Sequence, residues 1–143
     1  MIESSGTYDP LARARERWRR YAVAEYGKPG NLTLSQASDY ARQSPETIRE
    51  RQGASRLYAL PDPGRTGEWR YPQWQFHAPP SRLTSVLQVF SECNRWVLHS
   101  FLLRGREVLN SRSPAEVIVD ETDDLQPVVN LALIERKGEQ GAT

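Results

Sequence analysis

Two helix-start signals stand close together in TLSQASDYARQSPETIRERQG, residues 33–53, and they constrain the fold more than any other feature of the chain. Thr33 and Gln36 fit the T-x-x-Q capping box, in which each side chain satisfies a backbone N–H left open at the helix start. Ser44-Pro45-Glu46 supplies an N-cap, a proline at the first helical position and an acid at the positive helix end, and Gly53 can close that helix. Leu34, Ala37, Tyr40 and Ala41 give the first helix a buried stripe. Helices this short are marginal alone, so they must pack on each other and on something more. A pair of short helices around a tight corner is a helix-turn-helix.

The segment after the pair reads as a hairpin. Leu57-Tyr58-Ala59-Leu60 is strand-like, PDPGRTG is rich in turn formers, and Glu68-Trp69-Arg70-Tyr71 alternates as a returning strand. This is the winged helix-turn-helix order. Pro72 has no N–H for a ladder, so the strand ends there or runs along an edge. Four aromatic rings (Trp69, Tyr71, Trp74, Phe76) fall within EWRYPQWQF. Trp69 and Tyr71 share one strand face, and Trp74 and Phe76 are placed to wedge between two halves of the molecule. Stacking on unpaired bases is the alternative use of such rings.

Upstream, DPLARARERWRRYAVAEY (9–26) opens with Asp9 as N-cap and Pro10 at the first position. Leu11, Trp18, Ala22 and Tyr26 fall on one face. Arg13, Arg15, Arg17, Arg19 and Arg20 either meet phosphates or form a solvated face, and dimer packing of the Trp18 side is a further use of the helix. Downstream, His77-Ala78-Pro79-Pro80 reads as a linker. Leu83 to Phe101 keeps a helical period over about five turns. Gly105 and Asn110 interrupt, Ser113-Pro114 repeats the Ser-Pro start, Asp120–Asp124 is a solvated acidic turn and cap, and a last helix spans about Leu125 to Arg136, with a frayed KGEQGAT tail. The expected fold class is mainly α with a small β-hairpin: a basic N-terminal helix (1–30), a winged helix-turn-helix (31–77) and a C-terminal helical bundle (81–136).

Composition excludes some functions. Hydrophobic residues make up 38% and charged residues 26%, ordinary for a globular chain. No apolar run approaches a membrane span, and no signal-peptide pattern opens the chain. The lone Cys93 forms no internal disulfide, so the expected location is the cytoplasm, with nucleoid association through DNA. Residues 1–76 carry 12 Lys/Arg against 9 Asp/Glu, and residues 77–143 carry 7 against 9. Arginine far outnumbers lysine, which suits bidentate contacts to phosphate and guanine or reflects a GC-rich genome. His77, His99 and Cys93 lack the spacing of a zinc or nucleophilic site, and Cys93 reads as a small buried hydrophobe. No enzyme activity, cofactor or metal is expected.

The expected chemistry is DNA contact. The second helix of such a pair enters the major groove, which makes Glu46, Thr47, Arg49 and Glu50 the base-facing candidates. Arg49 suits a guanine and Thr47 a thymine methyl or a phosphate. Ile48 points inward. Arg51 and Arg56 are placed for phosphates, Arg65 for the wing tip, and Arg70 for the DNA backbone.

Leu32, Thr33, Ala37, Ser44, Thr47, Ile48 and Arg49 carry a spacing that resembles the small winged helix-turn-helix of the MerR/excisionase group, over about Leu32–Phe76. The resemblance implies that the second helix and the wing bind duplex DNA. Over about Leu83–Ile134 the order Trp96, Phe101-Leu102, then Arg112-Ser113-Pro114-Ala115-Glu116-Val117-Ile118, is similar to the toxin-binding domain of Xre/MbcA/ParS-type antitoxins. LLRGREVLNSRS stands where those carry Asn-Pro-x-Leu-x-Gly. This second resemblance implies a dimerising helical domain that binds a cognate toxin, with Trp96, Phe101, Leu102, Pro114 and Val117 at the protein interface. The expectation is a homodimeric antitoxin that binds double-stranded DNA and represses its own operon. The alternatives are an excisionase-like or partition-type accessory protein without a toxin, and a protein-interaction adaptor whose helix-turn-helix does not touch DNA.

Overall fold

The computed structural model describes residues 9–64 and 67–141. They are mainly helical, with a small three-stranded antiparallel sheet. Helix α1 (Pro10–Tyr26) starts where the Asp9 carboxylate accepts the Leu11 N–H at 2.9 Å. Only Ala22 and Glu25 of this helix are buried, and residues 10–21 are all exposed. The face running from Leu11 to Tyr26 therefore covers the body only toward its C-terminal end.

Strand β1 (Asn31–Leu32) leads into α2 (Leu34–Ala41), where both arms of the Thr33/Gln36 capping box form. The corner turns on Arg42, which is left-handed at φ 57°. The Ser44 hydroxyl then accepts the Thr47 N–H and starts α3 (Pro45–Gly53). Ala37 and Ile48 are wholly buried, as their helical phase requires, while Tyr40 stays exposed.

Strands β2 (Leu60–Pro61) and β3 (Trp69–Pro72) form the hairpin, and β3 is the central strand, with order β1-β3-β2. Asn31 pairs with Pro72 and Leu32 with Tyr71; Leu60 pairs with Arg70 and Pro61 with Trp69. Pro72 is tolerated in a central strand because β2 pairing has ended by then; the next N–H, of Gln73, bonds Gly30 O at 2.8 Å. Strand β2 is shorter than the expected 57–60 run. Tyr58 instead has its backbone satisfied by a side chain: its N–H donates to Gln75 Oε1 (2.9 Å), and Gln75 Nε2 donates to its carbonyl (2.8 Å). A wholly buried glutamine thus stands in for a neighbouring strand.

A 3₁₀ turn (Gln73–His77) carries Trp74 and Phe76 onto the core and leads to α4 (Pro80–Leu87). The 77–80 segment is not a gap in packing. Ala78 is buried, and one hydrophobic cluster runs from Ala22 through Tyr58, Tyr71 and Leu83 to Ala132.

The structure corrects the expectation of an unbroken helix from Leu83 to Phe101. Helix α4 tightens into a 3₁₀ turn at Gln88–Phe90, the chain leaves the helix, and α5 (Arg95–Leu103) starts anew. Asn94 makes the restart: its side-chain oxygen accepts from the N–H groups of Trp96 (2.7 Å) and Val97 (3.3 Å). Arg95 donates to the carbonyls of Phe90 and Cys93 that the break frees.

Helix α6 (Pro114–Val119) has a complete Ser113/Glu116 capping box. Its other end is held from α4. The Arg82 guanidinium donates to the carbonyls of Val117, Ile118, Asp120 and Asp123 at 2.7–3.0 Å. Arg112 pairs with Asp120 and Asp123, so the acidic turn is braced by two arginines rather than merely solvated. Helix α7 (Gln126–Gly141) runs past the expected end at Arg136 into the segment expected to fray.

Candidate nucleic-acid interface

On α3, Glu46, Arg49 and Glu50 are exposed and Ile48 is the single buried residue. The helix therefore shows solvent a face of one arginine between two glutamates. Thr47 is half-buried, and its hydroxyl is hydrogen-bonded to that of Ser44 at 2.9 Å. Arg49, Gln52, the α2 start at Ser35, and Glu68 and Trp69 of the hairpin line a groove of about 600 Å³. Tyr71, wholly inside, donates its hydroxyl to Gln52 Oε1 at 2.6 Å and ties α3 to β3. Burial raises the Tyr71 pKa, and nearby Arg49 opposes that rise.

The remaining predicted contacts separate. Arg56 is exposed. Arg51 is half-buried: it donates to Gln43 Oε1 at 2.9 Å and lies 6.0 Å from the Phe76 ring centre. Burial, then the neighbouring Arg56 charge, lowers its pKa. Arg70 is half-buried, with its guanidinium 4.7 Å over the Tyr26 ring. It joins the hairpin to α1, as does the bond from the Tyr26 hydroxyl to Glu68 O (3.0 Å). Arg51 and Arg70 are thus packing residues in this structure, because each has an aromatic ring in reach to cover its planar group. Arg65 lies outside the described residues.

The predicted protein-interface residues are corrected outright. Trp96, Phe101, Leu102, Pro114 and Val117 are all buried in the core, with Phe101 and Leu102 at 1% and 0% exposure. Their apolar character serves the fold. The apolar residues that α5, the following loop and α7 present to solvent are Leu103, Val108, Leu133 and Ile134.

A polar constellation that the sequence did not announce lies at the junction of α1, α5 and the hairpin approach. Trp74 Nε1–H donates to the Tyr58 hydroxyl (3.0 Å), Tyr58 to His99 Nδ1 (2.8 Å), and His99 Nε2–H to the Glu25 carboxylate (2.7 Å). One neutral tautomer of His99, protonated on Nε2, satisfies every partner. Burial lowers the His99 pKa against the pull of Glu25. Burial also pushes Glu25 upward, but hydrogen bonds from Lys28 and His99 outweigh it and leave its pKa lowered. Both ring nitrogens of His99 are engaged and Tyr58 is wholly buried. The work of this group is to fasten α1 to the body. Cys93 is half-buried, more open than expected. Among the described residues no cluster of three or more His, Cys, Asp or Glu could hold a metal ion, and no helix is long and apolar enough to cross a membrane. Comparison of the chain with protein-family models, with curated proteins and with solved structures found no match.

Proposed function

We propose that the chain is a DNA-binding transcriptional regulator in which α2, α3 and the β2–β3 hairpin act as a winged helix-turn-helix. The observation that carries this reading is the outer face of α3, where Glu46, Arg49 and Glu50 are exposed while buried Ile48 and the Gln52–Tyr71 bond hold the helix beside the hairpin. In the major groove Arg49 pairs with guanine O6 and N7, Glu46 and Glu50 accept from cytosine amino groups, and the Thr47 methyl meets a thymine methyl. Arg56 neutralises a phosphate. The C-terminal helices bind a protein, a cognate toxin in an antitoxin that represses its own operon. Exposed Leu103, Val108, Leu133 and Ile134 support such a surface. A homodimer on paired half-sites completes the reading.

The test is a gel shift with the DNA upstream of the protein's own coding region, at several salt concentrations. Binding should weaken steeply as salt rises, because phosphate contacts release counterions. Arg49→Ala should relax sequence choice, and Arg56→Ala should weaken all sequences alike. Failure of the wild-type chain to shift any duplex at low salt rules the reading out. A second reading, a protein-interaction adaptor, draws on the two glutamates beside Arg49, which give the α3 face no net positive charge. The same gel shift separates the two.

A further inference from the structure

We infer that the projecting part of α1 is a docking helix for an acidic amphipathic segment of a partner protein. This surface is distinct from the DNA face and from the C-terminal helices, and the inference does not depend on DNA binding.

Residues 10–21 form about three helical turns with every residue exposed. A helix segment of this length has little reason to stand off a body unless something covers it. Leu11, Ala14, Trp18 and Tyr21 follow the alternating four- and three-residue spacing of a coiled-coil seam. Leu11 is 65% exposed and Trp18 43%. The seam is anchored at its body end, where Trp18 and Tyr21 stack on each other (5.4 Å) and meet Trp96 edge-on at 6.3 and 6.4 Å. Beyond that anchor the apolar row runs on toward Leu11 with no cover among the described residues.

Charge selects the occupant. Arg15 and Arg17 flank the seam at the positions where paired helices exchange salt bridges. Arg15 is held by Asp9 and Arg20 by Glu16. Arg13, Arg17 and Arg19 have no ion pair among the described residues. Two copies of α1 packed antiparallel would set flanking arginines against each other, and packed parallel would set Arg17 against Ala22, so self-pairing gains no ion pair at the rim. Duplex DNA would satisfy the guanidinium groups but leave Leu11 and Trp18 facing water. A helix with an apolar row flanked by glutamate or aspartate satisfies both the seam and its rim.

The test uses the full chain and a labelled helical peptide with leucine at the seam positions and glutamate at the flanking ones. A matched peptide with lysine at the flanks is the control, and sedimentation of the chain alone reports self-association. The glutamate peptide should bind and the lysine peptide should not. Leu11→Ser should weaken binding about tenfold, as loss of a buried leucine side chain does. Arg17→Glu should weaken it about fivefold, the scale of one rim charge pair. Both positions are exposed, so circular dichroism should show unchanged folding. Equal binding of the two peptides, or no binding of either, overturns the inference. So does a dimer of the chain alone that Leu11→Ser dissolves, which would make a second copy the occupant. Loss of duplex binding in Arg17→Glu with peptide binding intact would assign the arginines to nucleic acid and overturn it as well.

Discussion

Helices α3 and α6 open with the same two residues, Ser44-Pro45 and Ser113-Pro114, and in both the serine hydroxyl accepts the N–H three positions on, at 3.1 and 3.2 Å. From there they diverge. Helix α3 continues ETIRERQG and buries Ile48 alone. Helix α6 continues AEVIV and buries Pro114, Ala115, Val117 and Ile118. The cap decides where a helix begins, and the apolar content after it decides whether it ends as surface or as core. The ends differ too. A side chain, that of Arg82, collects the last carbonyls of α6, whereas those of α3 are taken by the backbone that follows: the N–H groups of Ala54, Ser55 and Arg56 donate to Glu50, Gln52 and Arg51. Both ends are satisfied by protein, one by a remote side chain and one by its own turn.

The contrast can be broken by substitution. The largest effects should come from the inward residues. Ile118→Ala should lower the free energy of unfolding by about 4 kcal/mol and Ile48→Ala by about 3 kcal/mol, measured by urea denaturation. A near-neutral Ile48→Ala would mean that α3 is not anchored as described. Next, Arg82→Ala should cost about 2–3 kcal/mol, since several buried carbonyls lose a charged donor. Arg82→Lys should recover little, because an ammonium lacks the planar fork that reaches separate carbonyls.

The junction that holds α1 adds a pH dependence through a histidine, whereas at α6 the groups whose stabilisation is lost in acid are the carboxylates of Glu116 and Asp120, their pKa values lowered by their hydrogen bonds. The folded-state pKa of His99 lies below its ordinary 6.5, so the unfolded chain binds more protons once pH falls under that value. Stability should be fully present above pH 6.5 and decline as acid is added. A second decline should set in below Glu25's ordinary 4.5, because its pKa is lowered as well. Urea midpoints across pH should show the first decline in the wild type and lose it in His99→Gln. A midpoint that rises on acidification would contradict the neutral tautomer.

Smaller changes sharpen the comparison itself. Ser44→Ala and Ser113→Ala should each cost about 1 kcal/mol. Ser113 should cost the more of the two, because it is buried and belongs to a reciprocal capping box. Smallest of all, Arg49→Ala should change stability by less than about 0.5 kcal/mol, as exposed surface substitutions do. It should still impair any DNA contact made by α3, by about tenfold in a gel shift.

Local chemistry was legible without coordinates. Asp9, Thr33 with Gln36, Ser44 and Ser113 each start the helix expected of them, because a cap and its partner sit within three residues. The inward phase of Ala37 and Ile48 came from helical period alone. The partners of Arg70 and Arg51 were not legible, since Tyr26 and Phe76 are remote in sequence and any exposed-looking arginine reads as a phosphate ligand. Trp96, Phe101 and Leu102 misled for the opposite reason: an apolar residue carries no mark that distinguishes a core from an interface.

The amino-acid sequence by itself determined where most helices begin, which of their positions face inward, and that a hairpin comes after the capped pair. Only the tertiary structure decided the rest. Strand β1 is two residues long and has no period to detect. Arg82 reaches carbonyls 35 to 41 positions away, and His99 meets Glu25 across 74. Caps and periods act over one turn of chain, whereas a buried charge or carbonyl takes whatever partner the packed fold brings within hydrogen-bonding distance.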